Sequence, residues 1–207
     1  MRSKLVAALA LCVSSAIAGA QQITSPTAQY LASTTLFSIP GQEFSSLNTL
    51  TSGSLTLTFN IFGSKRITPG GGWLTWGSAP ESERSSTGTL DVLHFGDATK
   101  LSMQLSRPVS IFGFEAEPNA FADHNFNAYF YNGNVEVGSF SRTVNGSGGS
   151  RLFAFQGVID RVEFNGTDKF AAGAFRFGDV SVPEPSSVLL TVSGLAGLAA
   201  VRRRRRA

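Results

Sequence analysis

The chain has 207 residues, enough for one domain of ordinary size with short terminal signals. Its net charge of +3 is misleading, because five of the 17 basic residues form a single run near the C-terminus. Residues 21–181 carry a net charge of −3, which leaves no basic face for nucleic acid. The single cysteine, Cys12, lies near the N-terminus, so the body has no disulfide, no cysteine zinc site and no cysteine nucleophile.

Residues 1–20 have the pattern of a secretory signal peptide. Arg2 and Lys4 precede an apolar run, and the small residues Ala18 and Ala20 fit the −3 and −1 positions of a cleavage site. We therefore expect the secretion machinery to export the chain and cleavage to leave Gln21 as the first residue.

Residues 21–181 alternate between apolar and polar side chains with the period of two that is typical of antiparallel strands. Clear examples are 55–61, 101–106 and 126–131, and Gly-rich and Asn-Gly turns separate the runs. All 17 phenylalanines lie in this segment and can fill a core. The pattern predicts an all-β domain, an antiparallel β-sandwich of jelly-roll type with about eight or nine strands.

The C-terminal segment 182–207 contains three features in a fixed order. Pro183, Glu184 and Pro185 come first, and the 16 uncharged residues 186–201 follow. A helix over 186–201 would be about 24 Å long, shorter than the ~30 Å hydrocarbon core. The arginine side chains that follow it can close this gap by snorkelling, which brings their charged ends to the membrane surface. The segment ends with Arg202, Arg203, Arg204, Arg205 and Arg206. Because arginines resist translocation, we expect a single transmembrane helix with the body held outside the cytoplasm.

These residues resemble the PEP-CTERM sorting signal of exported proteins in Gram-negative bacteria that make exopolysaccharide. The resemblance covers 182–207 and implies that exosortase, a membrane transpeptidase-like enzyme, processes the chain at Pro183-Glu-Pro185. It also implies an inner-membrane-anchored precursor that reaches the cell surface or the extracellular matrix. Stretches 107–114, 159–165 and 174–180 look similar to lectin-like sandwich domains that often accompany this signal, an analogy of fold alone.

The densest polar segment, 115–125, offers oxygen ligands for a hard cation such as Ca²⁺. The candidate ligands are Glu115, Glu117, Asn119, Asp123 and Asn125. Their spacing does not match an EF-hand loop, so a solvated polar loop is favoured over a metal site. We expect no cofactor, with Ca²⁺ as the alternative.

Trp73 and Trp76 follow three glycines and are candidates for stacking on sugar rings, which makes exopolysaccharide a possible partner. In a regular strand their spacing would place them on opposite faces, so only a loop brings them together. One tryptophan that closes the edge of the sandwich is the favoured alternative.

The chain has two histidines, His94 and His124, and no Gly-x-Ser-x-Gly nucleophile turn. His94 fits a strand, whereas His124 is conceivable in a Ser-His-Asp site; the scattered acids do not establish a glycosidase pair. We therefore expect a non-enzymatic surface or matrix protein that is structural or carbohydrate-adhesive. A secreted polysaccharide hydrolase and a permanently membrane-anchored protein stay open as alternatives.

Overall fold

The computed structural model describes residues 20–68 and 90–179, which form ten strands and one short helix. In chain order these are β1 (Gln21–Ile23), α1 (Ala28–Ser33), β2 (Thr35–Leu36), β3 (Ser46–Ser52), β4 (Leu55–Thr68), β5 (Leu90–His94), β6 (Lys100–Pro118), β7 (Asp123–Asn132), β8 (Val135–Asn145), β9 (Arg151–Gly166) and β10 (Phe170–Gly178). Their pairings are antiparallel, so the predicted all-β fold is confirmed.

The membrane and signal segments predicted from the sequence lie mostly outside the described residues. This applies to 1–19 of the signal peptide and to the whole predicted helix 186–201. Among the residues that are described, no helix combines the length and apolar character needed to cross a bilayer.

The ten strands belong to one hydrogen-bonded sheet rather than to two separate sheets. Its main order is β2-β10-β5-β4-β6-β9-β7-β8, with β3 beside β4 and β1 beside β9. The first part of β6, 101–105, pairs with β4 and β9, whereas its last part, 111–118, pairs with β9 and β10. Register shifts between Gln104 and Ile111 separate the two parts, as expected where a bulge bends a strand.

Long strands therefore connect two halves of one bent sheet. The β7–β8 half consists of β7, β8, β3 and the adjoining ends of β4, β6 and β9. The β5–β10 half consists of β5, β10, β1, β2 and the other ends of the same three long strands. The two predicted layers are thus parts of one sheet, and the jelly-roll class stays a prediction.

The two halves face each other across a core of phenylalanine rings. Phe164 of the β7–β8 half packs edge-to-face on Phe114 and Phe170 of the other half, with ring centroids 5.0 and 4.8 Å apart. Phe126 also meets Phe170, at 5.9 Å. Burial of each such ring contributes roughly 1.5–3 kcal/mol, which lets the domain be stable without a disulfide.

Helix α1 covers part of the outer face of the β5–β10 half, along β6 and β9. Tyr30 of α1 packs there with Ile111, Leu152 and Ala154. The helix begins after Thr27, whose Oγ1 accepts a hydrogen bond of 3.2 Å from Tyr30 N. Along residues 111–118 of β6 this half is therefore buried on both faces, which is the environment of the predicted ligands Glu115 and Glu117.

Candidate functional site

The two glutamates of the predicted calcium site are completely buried on β6. Glu115 and Glu117 alternate with Phe114 and Ala116, so they point away from the phenylalanine core toward the covered outer side. Ser150 Oγ donates a 2.7 Å hydrogen bond to Glu115 Oε2. A buried carboxyl group needs such partners, because leaving it without one costs several kcal/mol.

The other three predicted ligands lie at the surface. Asn119 is exposed after β6, while Asp123 and Asn125 are exposed at the start of β7. Asp123 Oδ1 accepts a 2.6 Å hydrogen bond from Asn145 Nδ2, and Asn125 Oδ1 accepts one of 2.7 Å from Thr143 Oγ1. The structure thus separates the five predicted ligands into a buried pair and an exposed trio.

No group of three or more His, Cys, Asp or Glu side chains within 20–68 and 90–179 is arranged to hold a metal ion. The predicted calcium site also includes the asparagines Asn119 and Asn125, and it stays a prediction.

His124 lies beside a threonine and an aspartate. Its Nε2 is 3.7 Å from Asp168 Oδ2, and its Nδ1 is 3.4 Å from Thr167 Oγ1. An activated nucleophile and its base are usually about 2.6–3.2 Å apart. Thr167 Oγ1 also accepts a 3.2 Å hydrogen bond from Asn125 N. The arrangement therefore fits a surface contact that holds the turn after β9 against β7.

His94 is the last residue of β5, in the strand position that its pattern predicts. Burial and the neighbouring Arg66 charge lower its pKa below 6.5, and Lys169 lowers it further. The backbone of Gly96 and the Asp97 charge act in the opposite direction. The imidazole is therefore neutral near pH 7.

Several predicted residues fall outside the described part of the chain. Trp73 and Trp76 do so, as do Ala18 of the cleavage site and the sorting-signal residues Pro183, Glu184, Pro185, Arg202, Arg203, Arg204, Arg205 and Arg206. Ala20 is described and is exposed directly before β1. Sugar stacking by the tryptophans and the cleavage position stay sequence-based predictions.

The structure adds a surface that was not singled out from the sequence. Phe44 and Phe62 are 63% and 65% exposed, and the guanidinium carbon of Arg66 lies 4.3 Å from the centre of the Phe44 ring. We call Phe44, Phe62, Ser64 and Arg66 the aromatic patch. Phe62 had a sequence signal, because it follows Leu55–Ile61 at a position where the alternation predicts a polar residue.

Comparison with protein families concerns the C-terminal end. The model of the PEP-CTERM protein-sorting motif matches residues 181–206. The chain carries a PEP-CTERM sorting signal. The predicted resemblance is therefore confirmed, with boundaries that differ by one residue at each end. The PEP-CTERM signal implies processing by exosortase, a membrane enzyme, and export with a C-terminal segment held in the membrane.

The remaining comparisons concern the rest of the chain. No curated protein matches the chain. Among solved structures, the chain is similar to the enzymatically active domain of tailspike protein 4 of bacteriophage CBA120, with 14% identity and a TM-score of 0.28. The match covers 61% of this chain and 19% of the tailspike chain. So distant a likeness gives no basis for transferring an activity, and the lectin-like character of the body stays a prediction.

Proposed function

We propose that this protein is a non-enzymatic component of the cell surface or extracellular matrix, structural or adhesive toward polysaccharide. The observation that carries the proposal is the PEP-CTERM match at residues 181–206 behind an all-β body. In this proposal residues 1–20 are the signal peptide, and 186–201 form the helix that holds the precursor in the inner membrane. The body is a lectin-like, jelly-roll-like sandwich built from the bent sheet.

Two features of the body support a non-enzymatic role. Glu115 and Glu117, the two glutamates of the predicted site, are buried and therefore out of reach of a polymeric substrate. His124 is 3.7 Å from Asp168 and 3.4 Å from Thr167, both longer than the usual distance of about 2.6–3.2 Å between a nucleophile and its base. We propose no resident cofactor, because calcium binding by all five predicted oxygen residues would require both glutamates to leave their buried positions.

Two C-terminal variants test the sorting part of the proposal. Deletion of residues 202–206 removes the charges that stop translocation, so we expect the body to be released or degraded. Replacement of Pro183, Glu184 and Pro185 by alanine leaves the apolar span intact. We expect this second variant to accumulate as a full-length, membrane-bound precursor. Cell fractionation with intact-mass measurement of the body distinguishes the two outcomes.

The same measurement on the wild type gives the two mature termini, with Gln21 expected first. Wild-type behaviour of both variants would contradict a sorting role. A wild-type body that keeps its C-terminal tail at its final location would favour the permanently anchored alternative. Co-sedimentation of the full chain with exopolysaccharide from the producing cells tests adhesion, and failure to co-sediment would leave only the structural role.

A further inference from the structure

Phe44 has a backbone conformation that is unusual for an aromatic residue. Its φ angle is +69°, in the left-handed region that favours glycine. A side chain held there costs on the order of 1–3 kcal/mol, and such residues cluster at functional sites. The ring gains little burial in return, because Phe44 is 63% exposed. Core packing therefore does not explain why a phenylalanine occupies this position.

The loop that carries Phe44 is fixed by a buried lysine. Lys65 is 7% exposed, and its Nζ donates hydrogen bonds of 2.8 Å to Ile39 O and 2.9 Å to Gly41 O. The same Nζ lies 2.8 Å from Asp91 Oδ2. Phe44 N donates to Lys65 O at 2.9 Å, which joins the loop directly to β4. These contacts hold the unfavourable φ angle and keep the ring at the surface.

The remaining residues of the aromatic patch lie along one side of β4. Phe62, Ser64 and Arg66 are alternate residues and therefore share a face. Arg66 Nη1 donates a 2.8 Å hydrogen bond to Ser64 Oγ. At about 3.3 Å per residue, the Cα atoms of Phe62 and Arg66 are roughly 13 Å apart. The Phe44 ring lies 4.3 Å from the Arg66 guanidinium carbon, so both phenylalanines border a polar floor made of Ser64 and the Arg66 guanidinium.

The polar floor extends onto the neighbouring strands. Ser46 of β3 and His94 of β5 both pair with Ser64, from opposite sides of β4. The hydroxyls of Ser46 and Ser64, next to two exposed aromatic rings, suit a ligand that is itself flat-faced and rich in hydroxyl groups, whereas His94 Nε2 is buried. A chain of sugar rings has both properties.

The charge of the patch indicates which kind of sugar chain fits. Among its four residues only Arg66 is charged, and the adjacent His94 is neutral near pH 7. A guanidinium group pairs well with a carboxylate through two parallel hydrogen bonds. Binding to an anionic membrane surface usually needs a cluster of about four to eight cations, which a single arginine does not provide.

We propose that Phe44, Phe62 and Arg66 form a binding site for an acidic polysaccharide. The phenyl rings stack on sugar rings, and the guanidinium of Arg66 binds a carboxylate of the chain. This site rests on the proposed adhesive function, deepens it by naming the ligand class, and is distinct from Trp73 and Trp76.

The experiment measures binding of the full chain, purified in detergent, to polygalacturonate by titration calorimetry. The fully methyl-esterified polymer is the matched neutral probe, and vesicles of anionic lipid are the membrane probe. We expect binding to polygalacturonate and at least about tenfold weaker binding to the ester, because the ester lacks the carboxylate that Arg66 binds. A tenfold difference corresponds to about 1.4 kcal/mol.

Phe44→Gly is the decisive variant, because glycine accepts the φ angle while the ring is lost. We expect about fivefold weaker binding with an unchanged or higher melting temperature, because the stacking ring is lost while the strained φ angle is relieved. Phe62→Ala and Arg66→Gln should also weaken binding, and Arg66→Gln should remove the preference for the acid form. Phe121→Ala is the control, because Phe121 is equally exposed, at 65%, but lies in the turn between β6 and β7.

The outcomes separate this inference from the adhesive function. If the chain binds polygalacturonate or the cells' exopolysaccharide and the three patch variants bind equally well, the site is wrong and adhesion stands. Equal binding to the ester, or preference for vesicles, overturns the acidic-polysaccharide assignment. Failure to bind any polysaccharide overturns both the site and the adhesive function.

Discussion

The two parts of β6 show one strand in two environments. Over residues 100–106, buried and more exposed residues alternate, because the phenylalanine core lies on one side and solvent on the other. Over residues 111–118 every residue is buried, and Tyr30 of α1 packs on the outer side of this part against Ile111 and the β9 residues Leu152 and Ala154. The strand is the same, but its second part has to satisfy packing and hydrogen bonding on two faces.

This difference determines which residues the outer positions accept. In the first part, Ser102 is half-buried and Gln104 is exposed, and the hydrogen bond of Gln104 Nε2 to Asp160 O lies at the surface, where water can replace it. In the second part, Gly113 gives room for Tyr30, and Glu115 accepts a hydrogen bond from Ser150. Burial on both faces thus makes side-chain size and pairing critical, whereas the open part tolerates any residue suited to a strand.

The largest effect is expected for Gly113→Val. A Cβ atom at this position would lie 2.5 Å from Tyr30 Oη and closer still to the Cβ of Ala154, so the covering layer has to shift. We expect a loss of about 3 kcal/mol in the free energy of unfolding, measured by urea denaturation. Ser102→Val is the control on the open part of the same strand, where we expect a change within about 0.5 kcal/mol. Similar losses for both variants would contradict the difference between the two parts.

A smaller effect is expected from two matched hydroxyl deletions. Ser150 and Thr143 each donate a 2.7 Å hydrogen bond to a side-chain oxygen, of buried Glu115 and of exposed Asn125 respectively. Ser150→Ala should cost about 2 kcal/mol, because the buried Glu115 carboxyl loses one of its hydrogen bonds where water cannot replace it. Thr143→Ala should cost about 0.5 kcal/mol or less, because water replaces the hydroxyl. Equal losses in urea denaturation would show that burial does not govern these bonds.

The smallest effect is expected from pH, through His94. Its folded-state pKa is lowered, first by burial and then by Arg66, so the unfolded chain binds the proton more readily. The contribution to stability is therefore complete above about pH 6.5 and is lost as the pH falls through the lowered pKa. Urea denaturation at intervals between about pH 7.5 and 5 should show a shallower decline for His94→Gln than for the wild type. An identical decline would assign the pH dependence to other groups.

The sequence predicts the open part of the fold better than the covered part. Alternation in 55–61 and 126–131 identifies β4 and β7, because a strand with one wet face repeats every two residues. The density of polar residues in segment 115–125 favours a solvated loop. In the structure, however, its first residues continue β6 into a doubly buried region. Glu115 and Glu117 stand on either side of one alanine, and this local pattern gives no sign of burial. The residues that bury them lie far away in the chain.

The candidate sites divide in the same way. Phe62 interrupts the polar phase of its strand and is visible in the pattern, while the exposure of Phe44 depends on the φ angle that Lys65 and Asp91 hold in place. His124 meets Asp168 only because β7 and the end of β9 are neighbours. Such contacts join residues 21 to 44 positions apart, and no local spacing encodes them.

The sequence by itself determined the all-β class and the PEP-CTERM signal. Both are local properties: a strand repeats its pattern over a few residues, and a sorting signal is a short linear segment with its own order of proline, apolar span and arginine. The tertiary structure alone decided that one bent sheet forms both layers, that Glu115 and Glu117 are buried, and that Phe44 stands beside Arg66 at the surface. These features depend on which distant strands pair, and strand pairing is set by the packing of the whole core rather than by any one segment.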